Sequence, residues 1–177
     1  MKKRILSFLL ALVLIATIPV IVSPITHAAE VLETGKAGPN ITWTTYSDGR
    51  LVFSGWGKME DGKHWLVKNW YRHDPVHVIF EEGITYIGAY SFYSDAVFDS
   101  VKTITIPTTL TSIGEYAFCG VENLERVNIS NLQKWCSMTY ANYAYPMDMG
   151  ADLYLNGVKI VDLVIPNNIT TLCKGAF

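Results

Sequence analysis

Few side chains in this sequence are spaced to do chemistry, and each group that comes near has a plainer use. His73 and His77, with His64 nearby, offer imidazoles to a metal ion. Two histidines four apart act as a ligand pair chiefly on one face of a helix, and Pro75 between them forbids that helix. Glu81 and Glu82 are adjacent on one turn, which suits two solvated carboxylates better than a general acid and base. Asp148 and Asp152, around Gly150, are too sparse for a calcium loop. Cys119, Cys136 and Cys173 share no CxxC spacing, and the repeat segments near them contain no histidine to activate a thiolate. Cys119 and Cys173 read as small apolar fillers, with a disulfide between two of the three left open. The sequence contains no GxSxG, HExxH or P-loop. The expectation is a protein that is not an enzyme and needs no cofactor or metal.

What remains is surface chemistry. Trp56, Trp65, Trp70 and Tyr71 could form an aromatic platform for a sugar ring or for a partner's side chains. A buried core in the N-terminal cap explains the same four residues and is the preferred reading.

The elements that must position these groups are set by a repeat. Val78 to Phe92, Ile104 to Phe118 and Leu163 to Phe177 are three copies of one pattern, apolar at the first, third, seventh, tenth and fifteenth places. Ile104-Thr105-Ile106 reads as a short strand with both isoleucines inward and Thr105 outward. Pro107 ends it, Leu110 and Ile113 return to the core, Gly114 permits a tight corner, and Glu115 to Phe118 form a helical turn that buries Phe118. So short a unit cannot bury its own apolar face, so copies must stack into a solenoid. The step is 26 residues from Val78 to Ile104 and 23 from Ile104 to Val127. After Val127 the pattern departs. Ser130 with Gln133 reads as a capping box, so a helix is expected from about Asn131, carrying Leu132, Trp135 and Cys136 on one face. Leu153 to Ile160 reads as a hairpin turned at Asn156-Gly157, an insertion that stretches the next step, Val127 to Leu163, to 36 residues. If the strands stack in register, Ile79, Thr105, Asn128 and Val164 form one column on an outer face, which is the candidate binding surface.

Upstream, Ile41 to Ser47 and Arg50 to Trp56 are β-type runs around Asp48-Gly49, a strong hairpin signal. The hairpin would cap the first coil, whose apolar core would otherwise face water. Residues 1–29 read as a signal peptide. Met1-Lys2-Lys3-Arg4 precedes an apolar stretch from Ile5, Pro19 and Pro24 break it, and Ala28-Ala29 offers a cleavage site. Its removal leaves 11 basic against 16 acidic residues, a formal net charge of −5. That balance argues against nucleic acid and against an anionic membrane as partners, and no membrane span is expected after removal. The chain thus divides into the signal peptide at 1–29, a β-hairpin cap and loop at 30–76, and repeats at 77–177. The repeats subdivide as 77–103, 104–126, 127–162 with the helix and hairpin insertion, and an incomplete 163–177. The fold class is mostly β.

These units resemble the BspA-like, or type 5, leucine-rich repeats of bacterial surface and secreted proteins. The carriers are Ile104-x-Ile106-Pro107-x-x-Leu110-Thr111-x-Ile113-Gly114-x-Tyr116-Ala117-Phe118 and its two sister copies, with Glu81, Ser91 and Cys173 as departures. The resemblance implies adhesion, a secreted or cell-surface protein that binds an extracellular protein from host matrix or another cell, and no shared ligand; glycan binding through the tryptophans is a separate reading. The resemblance implies no catalytic residue. The alternative is an accessory module of a longer extracellular enzyme or wall-attached protein, which the stop at Phe177 in mid-unit would fit.

Overall fold

The structure is a computed structural model that describes residues 28–63, 69–93, 99–148, 150–165, 167, 169–170, 172 and 175–177. The leader (up to residue 27), His64, Trp65 and Cys173 lie outside the described residues.

Three antiparallel strands open the fold: β1 (Val31–Gly38), β2 (Ile41–Tyr46) and β3 (Arg50–Gly55). In β2, Ile41, Trp43 and Thr45 are buried while Thr42, Thr44 and Tyr46 are half exposed, the period of two that the sequence shows. Gly49 turns the β2–β3 hairpin with a positive φ of 83°. β1 was not foreseen, because Gly35 and Gly38 interrupt any alternation there. Gly35 is nevertheless what admits it: a Cβ at that position would lie 2.6 Å from the Trp43 indole, which crosses the strand.

β3 is both the last hairpin strand and the first rung of the solenoid. It pairs in parallel with β5 (His77–Phe80), and the ladder runs on through β7 (Thr103–Thr105), β9 (Arg126–Ile129) and β11 (Asp152–Leu155). β12 (Val158–Lys159) closes this eight-stranded sheet antiparallel to β11. A second, parallel sheet lines the other side of the coils, in the order β10 (Thr139–Tyr140), β8 (Ser112–Ile113), β6 (Ile84–Ile87) and β4 (Gly57–Lys58). The result is a mostly β solenoid of about four turns with little helix.

The core is a set of columns, one side chain per coil. Leu51, Val78, Ile104, Val127 and Leu153 stand in register, none more than 6 % exposed. Beneath them Phe53 stacks on Phe80 at 5.0 Å and Phe92 on Phe118 at 5.3 Å. Each fully buried side chain of this kind contributes roughly 1.5–3 kcal/mol. Cross-linking between coils is by backbone: Gly114 N–H donates to the Ile87 carbonyl at 2.9 Å, and Ala141 N–H to that of Ile113 at 3.0 Å. The Gly114 corner does not need a positive φ; a Cβ there would strike the Ala89 backbone and the Tyr86 hydroxyl of the coil above.

The register corrects the reading of the third coil. Leu153 pairs with Val127, so the step is 26 residues and the expected 36-residue step to Leu163 does not occur. Asn156 and Gly157, both at positive φ, do turn a hairpin there, but its first strand is the next rung of the ladder instead of an insertion. Leu163, Val164 and Ile165 form no strand, and Val164 is 80 % exposed. The coil had seemed broken because its second half is disguised. Thr139-Tyr140 pairs with Ser112-Ile113, and Ala141-Asn142-Tyr143-Ala144-Tyr145 then repeats Gly114 to Phe118 with tyrosine for phenylalanine. The helix α1 (Leu132–Cys136) bridges the two halves and buries Trp135 and Cys136. Its N-cap is Asn131, whose side chain accepts from Lys134 N–H at 3.0 Å, one residue later than the capping box had placed it.

Candidate functional site

The outward residues of the ladder form two parallel columns. One runs Ile79, Thr105, Asn128 and Tyr154, with the buried Val52 at its head; the other runs Arg50, His77, Thr103, Arg126 and Asp152. Ile79, Thr105 and Asn128 therefore line up as expected. Val164 does not join them, since the closing coil contributes Tyr154 instead. The face is held together by contacts between rungs. His77 Nδ1 lies 2.9 Å from Thr103 Oγ1, Asn128 Nδ2 donates to the Ile104 carbonyl at 3.4 Å, and the Arg126 guanidinium sits 3.8 Å over the Tyr154 ring. Arg50 lies 4.5 Å over the Tyr46 ring and pairs with Asp48 at 2.7 Å. At the far edge Lys159 donates to Asp152 at 2.6 Å, and that hydrogen bond holds its ammonium above its ordinary pKa. A flat, half-exposed surface with cations set on aromatic rings can hold a partner.

Of the aromatic group, Trp56, Trp70 and Tyr71 are described, and they do not share one exposed face; Trp65 lies outside the described residues. Trp70 is 3 % exposed, packed edge-on against Phe53 at 5.2 Å and Trp43 at 6.2 Å, and Tyr71 packs half-buried against the same core. Among the described members Trp56 alone stands out, 66 % exposed. The reason is position: Trp70 and Tyr71 sit on a single 3-10 turn, Asn69–Tyr71, that plugs the core beside the cap. His73 Nε2 lies 3.1 Å from Glu33 Oε2 across the cap, with the carboxylate accepting the imidazole N–H. Among the described residues no group of three His, Cys, Asp or Glu could hold a metal ion. Burial pushes the Cys136 thiol up, as suits a core filler. Burial and then the Asp61 carboxylate, which accepts from its hydroxyl at 2.7 Å, push Tyr86 up to about 12.

A second feature was missed. Tyr90, Tyr116 and Tyr143 occupy one place in three successive coils, and all three adopt the left-handed backbone, with φ of 54°, 53° and 53°. For a residue with a Cβ that costs about 1–2 kcal/mol each. Tyr116 stacks on Tyr90 at 5.3 Å and on Tyr143 at 4.8 Å, within 18° of parallel, and Tyr93 stands edge-on to the first two. Each such pair returns about 0.5–1.5 kcal/mol. The twisted backbone also turns the Tyr90 N–H onto the Glu115 carbonyl and the Tyr116 N–H onto that of Asn142. The signal was in the sequence: a tyrosine two residues before the last aromatic of these three units, Phe92, Phe118 and Tyr145.

Short parallel rungs in register, with one apolar column per place in the repeat, define a leucine-rich repeat solenoid. Its repeats are of a particular kind: residues 71–145 match the family described as the BspA type leucine rich repeat region, in six copies, and this part of the chain is such a region. The fold is similar to that of a leucine-rich repeat protein from Eubacterium ventriosum, at 24% sequence identity and a TM-score of 0.56. The match covers 75% of this chain and 33% of that one, so the chain spans about a third of its length. Comparison with curated proteins returns no match. Among the described residues no helix is long and apolar enough to cross a membrane.

Proposed function

We propose that this chain is a secreted or cell-surface, non-catalytic binding protein that holds an extracellular protein partner on the outer face of its parallel ladder. The repeat family supports the coarse part of this: it is an interaction module, generally of bacterial surface or secreted proteins. The observation that carries the finer part is the in-register pair of columns through Ile79, Thr105, Asn128 and Tyr154 and through His77, Thr103 and Arg126. A rigid sheet presents these groups already ordered, so little conformational entropy is lost on binding. Apolar and small polar residues at the centre, with cations at the side, suit a protein surface.

The test is binding of the chain to a panel of extracellular-matrix proteins by surface plasmon resonance, with a Thr105→Arg/Asn128→Arg double variant alongside. Saturable binding lost in the folded variant is the expected result. Binding that the variant retains in full would remove the sheet face from the proposal.

A further inference from the structure

The tyrosines of successive coils meet face to face. Tyr90 and Tyr116 stack at 5.3 Å with 17° between their planes, and Tyr116 and Tyr143 at 4.8 Å with 18°. Other tyrosine pairs of similar separation do not. Tyr93 stands edge-on to Tyr90 at 71° and to Tyr116 at 87°, and Tyr140 is tilted 47° from Tyr145. The stacked rings are fixed from the backbone: all three residues hold the left-handed φ, and the N–H groups of Tyr90 and Tyr116 donate into the following coil. Solvent reaches them, since Tyr90 and Tyr116 are half exposed and Tyr143 is exposed.

We infer that Tyr116 is a site of oxidative tyrosine coupling, joined by a carbon–carbon bond to a stacked tyrosine of an adjacent coil, chiefly the nearer Tyr143 and secondarily Tyr90, when a peroxidase and hydrogen peroxide act on the protein. Each of the two phenols loses one electron and one proton, giving phenoxyl radicals with spin density on the carbons ortho to oxygen. Two ortho carbons pair their electrons in the new bond, and each then passes its hydrogen to the ring oxygen, which restores both phenols. The peroxide takes up the two electrons and two protons, so two tyrosines and one hydrogen peroxide give one dityrosine and two waters. The spin lies in π orbitals, so the bond starts to form along the normal to both rings. Faces that already oppose one another are therefore poised to couple, and edge-on rings are not. Holding both partners in that arrangement replaces a bimolecular encounter by an intramolecular one. The bond would close 26 residues between Tyr90 and Tyr116, or 27 between Tyr116 and Tyr143, and tie one coil to the next through a link that no thiol reductant opens. The coupling uses no residue of the ladder face and does not rest on the protein-binding proposal.

The full chain is treated in dilute solution with a haem peroxidase and hydrogen peroxide, its accessible thiols alkylated first because they would consume the oxidant. Dityrosine fluorescence is read in the band that runs as monomer on a denaturing gel, and the joined peptides are identified by mass spectrometry. The expected main product links Tyr116 to Tyr143 within one chain, two hydrogen atoms lighter than the separate peptides. Tyr116→Phe, checked for folding by circular dichroism, keeps a ring in the stack but has no phenol to oxidise, and lowers the monomer's dityrosine by roughly tenfold or more. Tyr93→Phe stays within about twofold of the parent. Dityrosine confined to cross-linked dimers, or absent altogether, overturns the inference. So does a main product through Tyr93, or a folded Tyr116→Phe variant that yields as much as the parent.

Discussion

Exchanging Leu153 and Val164, one at a time, for alanine tests the register on which the whole ladder depends. Leu153 is 6 % exposed and pairs with Val127, whereas Val164 is 80 % exposed and belongs to no strand. Leu→Ala in a core costs about 2–5 kcal/mol, by lost transfer energy plus the cavity left behind. Leu153 lies in the closing coil, with the short hairpin strand Val158–Lys159 beyond it, so partial collapse is easy and the lower part of that range, about 2–3 kcal/mol, applies. Val164→Ala removes almost no buried area and should stay within about 0.5 kcal/mol. Urea unfolding followed by tryptophan fluorescence reads both, because Trp135, 1 % exposed, packs in the adjoining coil and donates its indole N–H to the Ala176 carbonyl at 2.7 Å. With a slope of about 2 kcal/mol per molar urea, the midpoint should fall by roughly 1–1.5 M for Leu153→Ala and by under roughly 0.25 M for Val164→Ala. Equal shifts, or a larger one for Val164→Ala, would refute the 26-residue step and restore Leu163 to Ile165 as the next rung.

Two smaller predictions accompany it. Asn131→Ala should cost about 1 kcal/mol through the lost cap to Lys134 N–H, while Ser130→Ala should cost under about 0.5 kcal/mol, a difference that paired thermal melts resolve. Burial works to raise the Glu82 pKa, but hydrogen bonds from Thr108 N–H at 2.8 Å, the Thr108 hydroxyl at 3.0 Å and Thr109 N–H at 3.1 Å overcome it and hold the carboxyl below its ordinary value. A depressed folded pKa stabilises the fold above the unfolded value and loses that contribution as pH falls through the folded one. The Tm gap between parent and Glu82→Gln should therefore be open at pH 7 and narrow steadily below about pH 4.5; a gap independent of pH would show that the carboxylate charge is not what holds the Thr108–Thr109 turn.

By itself the sequence determined the kind of fold and most of its rungs. Apolar residues at fixed places in Val78 to Phe92 and Ile104 to Phe118 can be buried only by stacking, and Asp48-Gly49 and Asn156-Gly157 announce their turns locally. Such signals are short-range: residue type and spacing suffice to express them. The tertiary structure decided what depends on which coil lies against which. Leu153 outcompetes Leu163 for the rung beside Val127 because Thr139-Tyr140 completes the third coil against Ser112-Ile113, a pairing that no local pattern reports. Trp70 is core and Trp56 is surface for the same reason, since burial is set by the neighbour across the coil and not by the residue's own character. The tyrosine ladder joins the two levels: the tyrosines recur visibly in the sequence, but only the parallel stacking of coils, about 5 Å apart at the rings, brings them face to face.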